Sequence, residues 1–110
     1  MNISSREEGG VTVVGVEGHL DTNTAPDAQR HFEGLQDAGV QKILLDFGDL
    51  DYITSAGLRV LFVTAKRFGA SGGSLRICGL SELVKEVFEI SGSEEILDVF
   101  GTTAEALEGF

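Results

Sequence analysis

Asp51-Tyr-Ile-Thr-Ser-Ala-Gly-Leu-Arg-Val-Leu61 is where the chain runs from the end of an apolar strand into an amphipathic helix. Before it, Lys42-Ile-Leu-Leu-Asp-Phe47 has consecutive apolar residues instead of clean alternation. A strand covered on both faces, in the middle of a sheet, has that look. After it, Leu58, Leu61, Phe62, Ala65 and Phe68 fall on one helical stripe, the expected core face, and Gly69, Gly72 and Gly73 stop the helix. Ser55 sits where that helix begins. A helix start offers unpaired backbone N–H groups and the positive end of the macrodipole, so a phosphate there is held rather than repelled. Serine is also a favoured N-cap for structural reasons alone.

The same alternation of periods extends through the rest of the chain. Val11-Thr-Val-Val-Gly-Val16 is β-branched and reads as a strand. Gly9-Gly10 predicts a tight turn that pairs it with Asn2 to Glu7. Thr22, Asn23 and Thr24 are N-cap candidates, with Pro26 in the first helical turn and Ala25, Ala28, Phe32 and Leu35 at helical spacing as far as Gly39. Ser74-Leu-Arg-Ile-Cys78 alternates as a strand, and Ser81 caps a third helix with core positions Leu83, Val84, Val87 and Phe88, ended by Gly92. Ile96 to Phe100 is a short last strand and Thr102 to Glu108 a short final helix. The order β-β-α-β-α-β-α-β-α predicts a single α/β domain, with a mixed, mostly parallel sheet of about five strands and about four helices.

The 110 residues suit one domain, and 42% hydrophobic residues suffice for a core. No apolar run is long enough to span a bilayer and no signal peptide is evident, so direct membrane insertion is not expected and the cytoplasm is the default location. A formal net charge of −10 argues against a nucleic-acid or anionic-membrane partner and permits a partner with a basic face. Cys78 is the only cysteine and reads as a buried thiol.

Enzyme readings fail one by one. His19 and His31 lack metal-ligand spacing and read as solvated or loop residues. Thr54-Ser-Ala-Gly57 lacks the first glycine of a nucleophile elbow, and neither a phosphate-binding loop nor a dinucleotide fingerprint is present. Asp46, Asp49 and Asp51 read as solvated turn residues. No cofactor, metal or catalytic residue is therefore expected. What remains is an interaction surface: Ala56, Val60, Val63 and Arg67 lie opposite the core stripe, and Arg59 is a candidate polar anchor at the edge.

Two segments resemble the STAS domain family, named for sulfate transporters and anti-sigma factor antagonists. They are Val16-Glu-Gly-His-Leu-Asp21 before the first helix and Leu45-Asp-Phe47 with Tyr52-Ile-Thr-Ser-Ala-Gly-Leu58 entering the second. The likeness covers nearly the whole chain and is closest to the bacterial anti-sigma factor antagonists. It implies that the unphosphorylated protein binds an anti-sigma factor that is also a serine kinase of the histidine-kinase-like ATPase fold. Phosphorylation of a serine at the start of the second helix then ends binding, and a PP2C-type phosphatase resets the cycle. Matched on Gly57 and Leu58, Ser55 takes the phosphoserine position. Thr54 stands where the family commonly has aspartate, and Ala56 where it has a second hydroxyl. Asp21 matches an acidic loop residue near the phosphosite. The implied partner surface comprises Asp21, Thr22 and Asn23, the run Tyr52, Ile53, Thr54, Ser55, Ala56 and Gly57, and Arg59, Val60 and Val63 along the helix. A module serving a non-sigma target, such as secretion or a signalling enzyme, and an accessory subunit of a transport complex are the competing expectations.

Overall fold

The computed structural model describes all 110 residues. Strand β1 (Asn2–Glu8) folds back antiparallel on β2 (Val11–Leu20) through Gly9 and Gly10, both at positive φ, as a two-glycine turn allows. Helix α1 (Ala25–Asp37) leads to β3 (Lys42–Asp46), β4 (Leu50–Ile53) and α2 (Ser55–Ala70). Then come β5 (Ser74–Cys78), α3 (Glu82–Ser91), a 3-10 turn (Ser93–Glu95), β6 (Asp98–Phe100) and α4 (Thr103–Leu107). The sheet runs β1-β2-β3-β5-β6, parallel except for the first pair. No helix is long and apolar enough to cross a membrane.

Strand β3 lies between β2 and β5, and its Ile43, Leu44 and Leu45 are all fully buried. Ile43 and Leu45 join the main core with Val14, Val16 and Ile77 under α1, α2 and α3. Leu44 faces the other way, with Val11, Val13 and Cys78, against Ala106 of α4. Two covered faces are why the strand reads as an unbroken apolar run. Burial also pushes the Cys78 thiol above its usual pKa.

The sheet has six strands rather than five, because β4 is an element that the sequence pattern hid. After β3 the chain makes a short turn, in which Gly48 N–H donates to the Asp46 carboxylate (2.9 Å) and Leu50 N–H to the Phe47 carbonyl (3.0 Å). It then resumes parallel pairing along the far half of β2, matching Gly18 with Leu50, His19 with Tyr52 and Leu20 with Ile53. A register shift between Gly18 and His19 absorbs the turn.

Three further expectations need correction. Leu83 is 47% exposed instead of core, because α3 buries a narrower face around Val84 and Phe88. The last strand begins at Asp98, and Ile96 is 72% exposed because the 3-10 turn precedes it. On α2, Phe62 and Ala65 are only half-buried. Ser81 does cap α3, accepting Val84 N–H (3.3 Å), and Gly92 ends that helix in the left-handed conformation.

On the α4 face, Arg76 straps down the C-terminal residues. Its guanidinium donates to the carbonyls of Ala106, Glu108 and Gly109 and lies over the rings of Phe100 (5.0 Å) and Phe110 (4.5 Å). Arg76→Ala is expected to lower unfolding free energy by about 2 kcal/mol, measured by urea titration, since hydrogen bonds from a charged donor are lost together with both stacking contacts.

Candidate functional site

The ends of β2 and β4 bring two connections together. Leu20 is paired with Ile53, and Thr54 N–H donates to the Leu20 carbonyl (3.0 Å). The loop that starts at Asp21 and the helix that starts at Ser55 therefore leave the sheet side by side, at the carboxyl ends of parallel strands, where open α/β sheets present their sites.

Gly57 makes this approach possible. A Cβ there would lie 2.6 Å from the Leu20 carbonyl oxygen and within 3 Å of Ile53 and Leu20 side-chain atoms. Only a residue without a side chain lets the first turn of α2 sit on the end of β2.

The Asp21 loop is a closed hydrogen-bonded unit. One carboxylate oxygen accepts from the N–H groups of Asn23 (2.9 Å) and Thr24 (3.1 Å). The Thr24 hydroxyl accepts from Asp21 N–H (2.9 Å) and donates to the His19 carbonyl (2.8 Å). Thr24 holds the N-cap position of α1, but its side chain ties the helix back to the strand instead of capping it. Asp21 is held below the ordinary value of 3.8, mainly by the Thr24 N–H. Partial burial opposes this shift, and the Asn23 N–H and the Thr24 hydroxyl add to it.

The start of α2 is less well satisfied. Thr54, not Ser55, occupies the N-cap, in extended backbone, and its side chain makes no cap hydrogen bond. Its Oγ1 is buried without a partner. Ser55 is the first helical residue and is exposed. Leu58 N–H makes the first intrahelical bond, to the Thr54 carbonyl (2.9 Å), which leaves the N–H groups of Ser55, Ala56 and Gly57 without helical partners. No acidic residue lies in this first turn.

Of the residues expected to meet a partner, Thr22, Asn23, Tyr52, Ser55 and Arg59 are exposed. Tyr52 is 42% exposed and sits edge-on to His19 (6.3 Å, 77°). Asp21, Thr54, Ala56 and Val63 are half-buried. Ile53, Gly57 and Val60 are buried, so they shape the surface from beneath and do not face outward.

Val60 marks the main error of the helical-face expectation. Val60 is buried in the main core and Val63 is half-buried beside α1, while Arg67 stays exposed at the edge of that contact. Val63, Thr64 and Arg67 line a seam with Phe32, Glu33 and Gln36 of α1. Arg67 pairs with Glu33 (3.3 Å), and the Gln36 amide donates to the Arg67 carbonyl (3.0 Å). The outward stripe is Ser55, Arg59, Phe62 and Lys66, one position from the expected one. His31, expected to be solvated, is half-buried on α1 with its Nε2 3.1 Å from the Ser5 hydroxyl. No group of three or more His, Cys, Asp or Glu side chains converges so as to hold a metal ion.

The chain belongs to the STAS domain family, whose pattern matches residues 2–106. Among curated relatives, a Bordetella bronchiseptica protein named as an anti-sigma factor antagonist, BtrV, is 34% identical over all of this chain and 95% of its own length. A Thermotoga maritima crystal structure of a protein named as an anti-sigma factor antagonist superposes with a TM-score of 0.90 at 23% identity, covering 96% of this chain and 92% of that one. The Bacillus protein SpoIIAA superposes in its unphosphorylated form with a TM-score of 0.80 at 19% identity over 97% of this chain and 94% of that one. Its phosphorylated form gives 0.72 at 18% identity over 97% of each. These structural likenesses establish the shared fold.

Two measurements check the frame. Gly57→Ala should lower unfolding free energy by about 2 kcal/mol, because a methyl group is forced against backbone that cannot yield. Asp21→Ala should be less stable than the parent at neutral pH. Because the folded carboxyl has the lower pKa, its contribution is present above 3.8 and disappears as pH falls through the depressed value, so urea midpoints of the two proteins should converge in acid.

Proposed function

We propose that this protein is an anti-sigma factor antagonist that works by partner switching, with Ser55 as the phosphorylated residue. The observation that carries the reading is the placement of Ser55: an exposed hydroxyl on the first residue of a helix packed against the end of β2. The naming of the Bordetella relative and the existence of SpoIIAA in phosphorylated and unphosphorylated forms support it.

The unmodified surface around Asp21, Tyr52, Ser55 and Arg59 docks on an anti-sigma factor that is also an ATPase-fold serine kinase. The kinase transfers the γ-phosphoryl group of ATP to the Ser55 oxygen, and the hydroxyl proton leaves to solvent. The product carries roughly −1.5 to −2 charges and three acceptor oxygens. The unpaired N–H groups of the first turn of α2 tolerate the phosphate, so the domain keeps its fold. The interface does not tolerate it, since a dianion must be desolvated beside the Asp21 carboxylate. A PP2C-type phosphatase restores the hydroxyl by hydrolysis.

The test is a binding titration against the purified kinase. Ser55→Ala should bind like the unmodified protein and accept no phosphate. Ser55→Asp should bind about a hundredfold more weakly, equivalent to about 3 kcal/mol, with an unchanged unfolding midpoint. Equal affinity of the two variants, or phosphate mapped to Thr54 instead, overturns the assignment.

A further inference from the structure

The outward face of α2 continues past Ser55 in a way the switch itself does not use. Arg59 and Lys66 are exposed on this stripe, one helical turn to either side of Phe62. The chain has eight Lys and Arg residues against eighteen acidic ones. Four of the eight are already engaged: Arg6 with Glu8, Arg30 with Asp27, Arg67 with Glu33, and Arg76 with backbone carbonyls. The other four, Lys42, Arg59, Lys66 and Lys85, form no ion pair, and two of them, Arg59 and Lys66, share the open face of α2.

Beside them lies an apolar opening. Helix α2 packs closely on α1 but scarcely touches α3. Phe62, Ala65, Lys66 and Ile96 line a shallow crevice of ≈ 460 Å³ on that side. Ile96 follows the 3-10 turn and is 72% exposed, with the exposed carboxylate of Glu95 next to it in sequence. An isolated exposed isoleucine needs no explanation, but this one shares a crevice with a half-exposed phenylalanine whose helix presents unpaired cations.

We infer that the Phe62–Ile96 crevice, lined also by Lys66 and one helical turn from Arg59, is a second contact point for the protein partner that covers Ser55. Its occupant is a segment of that partner with an apolar side chain for the crevice, a carboxylate toward α2 and a cation toward Glu95. The inference rests on the partner-switching reading, because it takes the partner to lie along the same face of α2. Burying Phe62 and Ile96 supplies the contact, and the opposed charges orient it. A carboxylate on the partner satisfies Lys66, and a like-charged substitution there juxtaposes two anions.

Binding of the purified ATPase-fold serine kinase from the same organism tests this, with Ser55 unmodified throughout. Ile96→Asp, Lys66→Glu and Glu95→Lys should each weaken binding about tenfold, with unchanged unfolding midpoints. Lys42→Glu should stay within twofold: Lys42 is exposed at the start of β3, the opposite end of the sheet, and carries the same change of net charge as Lys66→Glu. Lys66→Glu and Glu95→Lys shift net charge in opposite directions, so opposite effects on affinity would show that overall charge is read and would overturn the inference. Retained binding by Ile96→Asp overturns it too. If Ser55→Asp loses binding while the crevice variants keep it, the switch stands and the crevice contact fails. If the crevice variants lose binding while Ser55→Asp keeps it, the contact stands and the switch fails.

Discussion

The structure depends on what meets the carbonyl group of Leu20. It ends the paired part of β2, accepts the Thr54 N–H, and lies under the bare Cα of Gly57. A single acceptor thus holds the entry to α2 against the exit of β2. With that contact in place, the Asp21 loop and Ser55 are neighbours without any direct bond between them. The loop is rigid on its own account, since the Asp21 carboxylate and the Thr24 hydroxyl satisfy the backbone around them. Side chains mounted on such a frame keep their relative positions, which a recognition surface needs.

Helix α2 divides its circumference among three environments. One arc meets the sheet through Leu58, Leu61 and Phe68. The next meets α1 through Val63, Thr64 and Arg67. The third, from Ser55 to Lys66, is open. The helix start is also the least satisfied part of the frame, with a buried Thr54 hydroxyl that lacks a partner. Such a group weakens stability by about 1–3 kcal/mol, an unusual feature for a position that should cap a helix.

Much of this was legible in the sequence because it depends on local pattern. The Gly9-Gly10 hairpin, the doubly covered β3, the Ser81 cap and the position of Ser55 at a helix start all follow from turn chemistry or from periodicity over a few residues. Strand β4 was not legible. Its four residues have only Leu50 and Ile53 buried, and its pairing with β2 is set by a turn and a register shift rather than by composition. The face of α2 was misjudged for a different reason. Periodicity gives angles around a helix axis but not the number of neighbours, so the apolar Val60 and Val63 are placed outward by lying opposite the core stripe, where the fold instead covers them. Leu83 and Ile96 fail likewise, as apolar residues for which the tertiary structure provides no cover.

The firm seating of α2 also sets a timescale. Under the proposed partner switching, the start of α2 is held against Leu20 and Ile53, so a phosphate on Ser55 would act on the partner by direct collision, with no rearrangement of the helix required. Response time then follows encounter rates and enzyme turnover, without a slower folding step. Erasure is different, because uncatalysed hydrolysis of a phosphate monoester is among the slowest reactions in water. On that proposal the domain writes quickly and forgets only when an enzyme makes it forget.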